Sequence, residues 1–268
     1  MSQHEPSVVV VVPTLGERLD TLAHSLASVA GQQGVSTHLV VVVPERAKGA
    51  RHIAVRHGAT VVDDPGRGLS AAVNAGIAAR RDETYYAWLG DDDLLALGGL
   101  ATLSALLEGD PRAVVAYGAC TYIDDRARTV TVSRAGGLAT RVLGWGPDLV
   151  PQPASLTRVE ALVAAGGYDE SLRFAMDLDM FLRLKRQGRF VSTKHEVAAF
   201  RWHPDSLTVA NRGLSLAESE KVKRRYLPAG VRPLSPLWDV PVRWATRAAA
   251  KQVNARARRV AATGQSVG

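Results

Sequence analysis

Val8-Val9-Val10-Val11-Val12-Pro13-Thr14-Leu15-Gly16-Glu17-Arg18 opens the regular part of the chain. Five consecutive β-branched residues closed by a proline read as a strand covered on both faces, since a half-exposed strand would alternate apolar with polar. Leu19–Ala30 then has helical spacing, Leu39–Val43 is a second apolar run, and Ile53–His57 ends a short helix. Thr60–Val62, Leu69–Ala79 and Tyr85–Leu89 continue as strand, helix, strand. The order βαβαβαβ predicts an α/β fold with a Rossmann-like, mostly parallel sheet and helices on both faces. Ligands of such sheets collect beyond the carboxyl ends of the strands. The loops to inspect are therefore Pro13–Arg18, Pro44–Lys48, Asp63–Gly68 and Gly90–Asp93.

Beyond them the pattern predicts a Leu94–Leu107 helix and a hairpin of Val114–Ile123 with Thr129–Val132, turning at Asp124–Asp125. Gly136–Pro153, rich in Gly and Pro, reads as a mobile loop. A helix near Val159–Ala165 stops at Gly166–Gly167, Asp177–Arg186 is another helix, and Val197–Trp202 a last strand. Prolines 228, 233, 236 and 241 then interrupt the chain before a final helical stretch. The expected division is a domain over 1–227 and a basic, helical C-terminal extension over 228–268.

With 46% hydrophobic and 22% charged residues, the 268-residue chain has the composition of a globular protein. Apolar runs such as Val8–Val12 reach five residues, against the roughly 20 of a membrane span. Met1–Ser7 carries no basic start of a secretory leader. The lone Cys120 excludes an internal disulfide and suits a reducing, cytoplasmic setting. Net charge is +7, but residues 221–268 hold eleven Lys/Arg against one acid, which leaves 1–220 at 22 against 25. Basicity belongs to the tail, so a chain-wide nucleic-acid surface is not expected.

Asp91, Asp92 and Asp93 directly follow the strand Tyr85–Leu89. Adjacent carboxylates repel, and a divalent cation such as Mg²⁺ or Mn²⁺ would compensate them and bridge to a diphosphate. A solvated turn with Asp93 capping a Leu94 helix is the other reading. Asp177 falls at a helix N-terminus, where the dipole favours an ionised carboxylate able to act as general base; helix capping, with Asp179 paired to Arg183, is again the alternative. His203, before Pro204, is a candidate metal ligand or a structural histidine. Arg67 and Asn74 frame a helix start suited to phosphate, or lie in an ordinary surface loop. The dinucleotide Gly-x-Gly-x-x-Gly and the P-loop Gly-x-x-x-x-Gly-Lys-Ser/Thr are absent.

Taken together these motifs resemble the family 2 glycosyltransferases, which have the GT-A fold. Val8–Val12 with Pro13, Thr14, Arg18, Leu22, Leu26, Ser28 and Gln32 is similar to their first strand, loop and helix. Gly68-Leu-Ser-Ala71 with Asn74 and Gly76 is similar to their third loop and helix, and Trp88-Leu-Gly-Asp-Asp-Asp-Leu-Leu resembles their Asp-x-Asp motif. Gly166-Gly-Tyr-Asp-Glu with Asp177-Leu-Asp-Met-Phe-Leu-Arg183-Leu resembles their acceptor-side block, and Arg201-Trp-His203-Pro-Asp-Ser206 their late His-Pro-x-Ser element. The resemblance spans about residues 7–210. It implies a nucleoside-diphosphate sugar donor held by Pro13, Thr14, Arg18, Arg67, Asn74, Asp91 and Asp92. It also implies a metal on Asp91, Asp93 and His203, and Asp177 as base. One departure stands out: where the family commonly has two aspartates after the second strand, this chain has Val43-Pro44-Glu45-Arg46, with Glu45 as the substitute.

The expected activity is an inverting, metal-assisted sugar transfer to a glycan, lipid-linked or protein hydroxyl. Its rivals are a nucleotidyltransferase and a non-catalytic module acting through the basic tail. In that tail Arg243, Arg247, Lys251 and Arg258 share one stripe opposite Val242, Ala249, Val253, Ala257 and Val260. Two readings follow: a helix packed on its own domain or on a second copy in a homodimer, or docking on anionic lipid at the inner face of a membrane with Trp238 and Trp244 as anchors.

Overall fold

The valine run of β1 (Ser7–Pro13) lies between two parallel neighbours, β2 (Ser36–Val43) and β4 (Tyr85–Trp88), in the computed structural model, which describes residues 5–134, 136–202 and 212–263. Val8 to Val12 have no exposed surface, because each side of the strand meets a helical layer. Val8, Val10 and Val12 face Leu22, Leu26 and Val29 of α1 (Leu19–Ala30) and Ala50 and Ala54 of α2 (Lys48–Arg56). Val9 and Val11 face Ala72, Val73 and Ile77 of α3 (Leu69–Ala78). Contact there is close: a Cβ on Gly76 would lie 2.3 Å from Val11 Cγ1, so only glycine lets α3 press onto the sheet.

Helices do cover both faces, but the sheet is mixed rather than mostly parallel. Its order is β3-β2-β1-β4-β8-β6-β9-β5, with β7 added to β6. Four pairings are parallel: β1 to β2, β1 to β4, β2 to β3 (Thr60–Asp63), and β6 (Ala113–Ile123) to β9 (Arg189–Arg201). Four are antiparallel: β8 (Ser155–Arg158) to β4 and to β6, β5 (Leu94–Leu95) to β9, and β7 (Thr129–Ser133) to β6. Insertion of β8 between β4 and β6 ends the parallel series.

The expected Leu94 helix is also corrected. Leu94 and Leu95 pair with Ala199 and Ala198, and Ala96 N–H donates to Val197 O, so the backbone stays extended to Ala96 and turns over Leu97 and Gly98, the latter at φ +69°. Only then does α4 (Gly99–Gly109) begin, which removes the reading of Asp93 as its cap. The Gly136–Pro153 segment contains α5 (Leu138–Val142) and buries Ala139, Leu143 and Val150. α6 (Val159–Ala164) ends at Gly166 and Gly167, both at positive φ, and α7 (Met176–Leu184) follows.

α8 (Arg212–Tyr226) leads into α9 (Pro236–Thr263), whose first turn begins at Pro236 and which accommodates Pro241 instead of breaking there. Arg224 bonds Asp239 at 2.7 Å, Arg243 grips both oxygens of Glu220, and Trp202 Nε1 donates to Asn254 at 2.8 Å. Among the described residues no helix is long and apolar enough to cross a membrane.

Candidate active site

β4 carries the acidic loop to the carboxyl edge of the sheet, where Thr14, Arg18, Ser25 and Arg201 hold it. Thr14 Oγ1 donates to Asp91 Oδ2 at 2.5 Å, and its own backbone N–H is tied to Val42 O at 2.9 Å. Arg18 Nη1 meets Asp92 Oδ2 at 2.5 Å. Arg201, at the end of β9, donates its N–H to Asp93 Oδ1 at 2.9 Å and its guanidinium to the carbonyls of Asp92, Asp124 and Asp125. Asp93 is 4% exposed, and Ser25 Oγ donates to its carbonyl at 2.6 Å. Burial, reinforced by the Asp92 charge, pushes its carboxyl up to about 8. Asp91 is raised for the same reasons, the Thr14 bond and Arg18 opposing.

Asp177 stands in the first turn of α7, beside this loop. Trp88 Nε1 donates to its Oδ1 at 3.1 Å, and Trp88 is itself fixed by Gln152 Nε2 on its carbonyl at 2.7 Å. Burial lifts the Asp177 carboxyl to about 7, against the Trp88 bond. The loop feeding α7 is gripped by Glu218 of α8, which accepts from the N–H groups of Arg173, Phe174 and Ala175 at 3.1, 2.6 and 2.8 Å. Asp179, two positions on and 2% exposed, is fully engaged by Arg183 at 2.8 Å and Tyr226 at 2.7 Å. It is the structural member of the pair.

The other expected site residues divide. Pro13 closes β1 beside Thr14, and Glu45 lines a cleft of about 350 Å³ with Pro44, Arg46, Lys48 and Asp64 at the same sheet edge. Arg67 and Asn74 are directed elsewhere. Arg67 pairs with Glu170 at 2.9 Å, and Asn74 bonds Tyr168 O at 2.9 Å and Tyr168 N at 2.8 Å, which locks α3 to the segment after α6. His203 lies outside the described residues. A larger groove of about 740 Å³, lined by Arg112, Glu160, Gln187 and Arg189, opens at the opposite end of β6 and holds none of these carboxylates. Glu218, Gln152 and the Arg201 guanidinium were not anticipated. Arg201 stands two positions before His203 at the head of the Arg201-Trp-His203-Pro-Asp-Ser206 element, whereas nothing local distinguishes Glu218 or Gln152.

The residues present suit a hard cation. A Cβ on Gly90 would lie 2.8 Å from Asp93 Oδ2 and 3.2 Å from Asp92 Oδ1, so glycine at this position spares the two carboxylates a collision. Oxygen donors of this kind fit Mg²⁺ or Mn²⁺. Among the described residues no three His, Cys, Asp or Glu side chains already converge as a ligand set.

Residues 9–165 match the family model described as Glycosyl transferase family 2. No curated protein gives a significant match. Among solved structures, S. aureus TarS shares 14% identity over 84% of this chain and 41% of its own, with a TM-score of 0.61. The chain thus spans about two-fifths of that protein. TarS 1-349 in complex with UDP-GlcNAc gives 15% identity, 81% and 64% coverage and a TM-score of 0.62. The mannosyltransferase PcManGT from Pyrobaculum calidifontis, in complex with GDP-Man and Mn2+, gives 19%, with 99% and 81% coverage and a TM-score of 0.63. At such identities the structural likeness speaks for the fold.

Proposed function

Because the chain belongs to glycosyl transferase family 2, we propose that it transfers a sugar, with inversion, from a nucleoside-diphosphate sugar to an acceptor hydroxyl. The observation that carries this reading is the 3.1 Å bond from Trp88 to Asp177. It ties a carboxylate of raised proton affinity to the strand that ends, three residues on, in the acidic loop. A base and a diphosphate-binding loop so coupled suit displacement at the anomeric carbon.

Thr14 and Arg18 orient Asp91 and Asp92 toward the donor, while Pro13 and Glu45 border the nucleotide. Asp91 and Asp93, with His203, would hold the divalent cation, Mn²⁺ or Mg²⁺, which when bound neutralises charge on the departing diphosphate as a Lewis acid. Asp177, ionised above about pH 7, takes the proton of the acceptor hydroxyl as that oxygen attacks the face opposite the leaving group. The transition state has oxocarbenium character, as in glycoside hydrolysis. The acceptor is a glycan, a lipid-linked carrier or a protein, met in the cytoplasm.

Thermal unfolding with a panel of nucleotide sugars and Mn²⁺ tests the donor class, since a ligand at 100 times its Kd stabilises by about 2.7 kcal/mol. Stabilisation by one of them, with turnover lost in EDTA and restored by Mn²⁺ or Mg²⁺, is expected. Pyrophosphate as product would make the protein a nucleotidyltransferase. Full turnover in EDTA after metal-free purification would remove the cation from the mechanism.

A further inference from the structure

Four side chains of α9 tie it to the body of the protein among the described residues. Asp239, Arg243, Asn254 and Arg256 bond Arg224, Glu220, Trp202 and Thr131, the first three from one arc of the helix and Arg256 from its flank. On the other face Leu237, Val240 and Trp244 succeed one another at helical spacing and are 73, 48 and 68% exposed. Exposed Val231 and Leu234 extend this apolar strip into the preceding turn. Continuing the same line, Arg247, Lys251 and Arg258 are exposed. Arg243, expected in this stripe, instead belongs to the inner face, and Trp238 is half-buried, so Trp244 with Leu237 replaces the expected tryptophan pair.

The result is one solvent-facing line that is apolar in its first half and cationic in its second. Between Pro236 and Thr263 there are six Lys/Arg and one acid, Asp239, which is already bound to Arg224. Three large apolar side chains exposed in succession along one line of a helix mark an interaction surface. A nucleic-acid surface would not need the leucine, valine and tryptophan, and a spanning segment is excluded for the described helices.

We propose that this face docks on an anionic phospholipid surface, with Leu237, Val240 and Trp244 entering the interface and Arg247, Lys251 and Arg258 meeting the headgroup phosphates. Because the inner face is clamped by ion pairs and hydrogen bonds, the helix attaches the whole catalytic body to the bilayer plane without unfolding. Docking holds whichever acceptor the enzyme uses.

Co-sedimentation of the full chain with vesicles decides it, using phosphatidylcholine alone or an equal mixture of phosphatidylcholine and phosphatidylglycerol. Binding to the mixed vesicles, weakened by salt, is expected. Arg247→Gln with Lys251→Gln should lower the partition coefficient about 30-fold, and Leu237→Ser with Trp244→Ser at least tenfold. Both pairs should leave the unfolding temperature unchanged. If the apolar pair lowers it, the charge pair alone decides. Equal binding to both vesicle types, absence of binding, or wild-type binding by the charge pair would overturn the proposal. So would a dimer, seen by light scattering, that disperses in Trp244→Ser, or retention on duplex DNA that Arg247→Gln with Lys251→Gln abolishes.

Discussion

Asp91 and Asp177 are both carboxylates at element ends, yet they are held in place by opposite means. Asp91 is supported through its own side chain by Thr14, with Arg18 on the adjacent Asp92. Among the described residues Asp177 receives one bond on its carboxylate, and the segment that leads to it is held by Glu218, which grips the three backbone N–H groups upstream. Asp179, two residues away, has both an arginine and a tyrosine. Positional support and charge compensation are thus separate resources. Where the backbone is clamped from outside, a carboxylate is fixed without an ion pair and retains the affinity for a proton that a base requires.

The largest test of this separation is Asp177→Asn. The amide keeps the Trp88 bond and cannot accept a proton, so kcat should fall roughly 10²–10⁴-fold while nucleotide affinity, read by thermal shift, stays within twofold. Lost affinity with intact kcat would make Asp177 a donor ligand. The pH dependence has a defined sign. With the folded carboxyl at about 7 and an unfolded value near 3.9, folding takes up a proton between these limits. Raising pH through that window removes stability from the wild type, while it raises kcat. The non-titrating variant escapes the loss, so its advantage in unfolding temperature should grow from about pH 4 to 7 and level off above.

Next in size is Glu218→Ala, which removes the clamp without touching Asp177. Urea unfolding should show a loss of about 2 kcal/mol, and kcat should fall about tenfold with KM for the donor little changed. Glu218→Gln, still an acceptor, should recover most of both. If KM for the donor rises instead, the clamp serves the nucleotide side. Thr14→Val works on the other region: donor KM should rise about tenfold with kcat nearly constant. Smallest is Arg67→Ala. Its partner Glu170 lies in the segment after α6, so donor KM should stay within twofold and stability within about 0.5 kcal/mol. A tenfold rise in KM would return Arg67 to the nucleotide.

The first four strands were legible because each is a run of β-branched or aromatic residues, the first three followed by a helix that packs on the sheet. The later ones were not. Leu94, Leu95, Leu97 and Leu100 have helix-like spacing, and only Ala198 and Ala199, a hundred residues away, draw the first two into a strand. Ser155–Arg158 is too short to announce itself and gains its place from β4 and β6 together. At the site, Asp91, Asp93 and Asp177 showed as acids at the ends of elements. Arg67 and Asn74 also stood at a helix start, and the structure pairs them with Glu170 and with the backbone of Tyr168. The grip of Glu218 and Arg201 depends on neighbours 43 to 109 positions distant, beyond any local pattern.

β6 has consequences for the order in which this molecule is made. Its eleven residues pair with β8, β7 and β9, the last ending at Arg201. During synthesis β1 to β4 and their helices, all lying between Ser7 and Trp88, can assemble before β6 is made. The acidic loop is by then translated but lacks its anchor on Asp92 and Asp93, because Arg201 is still more than a hundred residues from the exit. Binding competence should therefore arrive late and abruptly, with the release of β9, so that nascent chains shorter than about 200 residues would hold a formed half-sheet and an unfinished site.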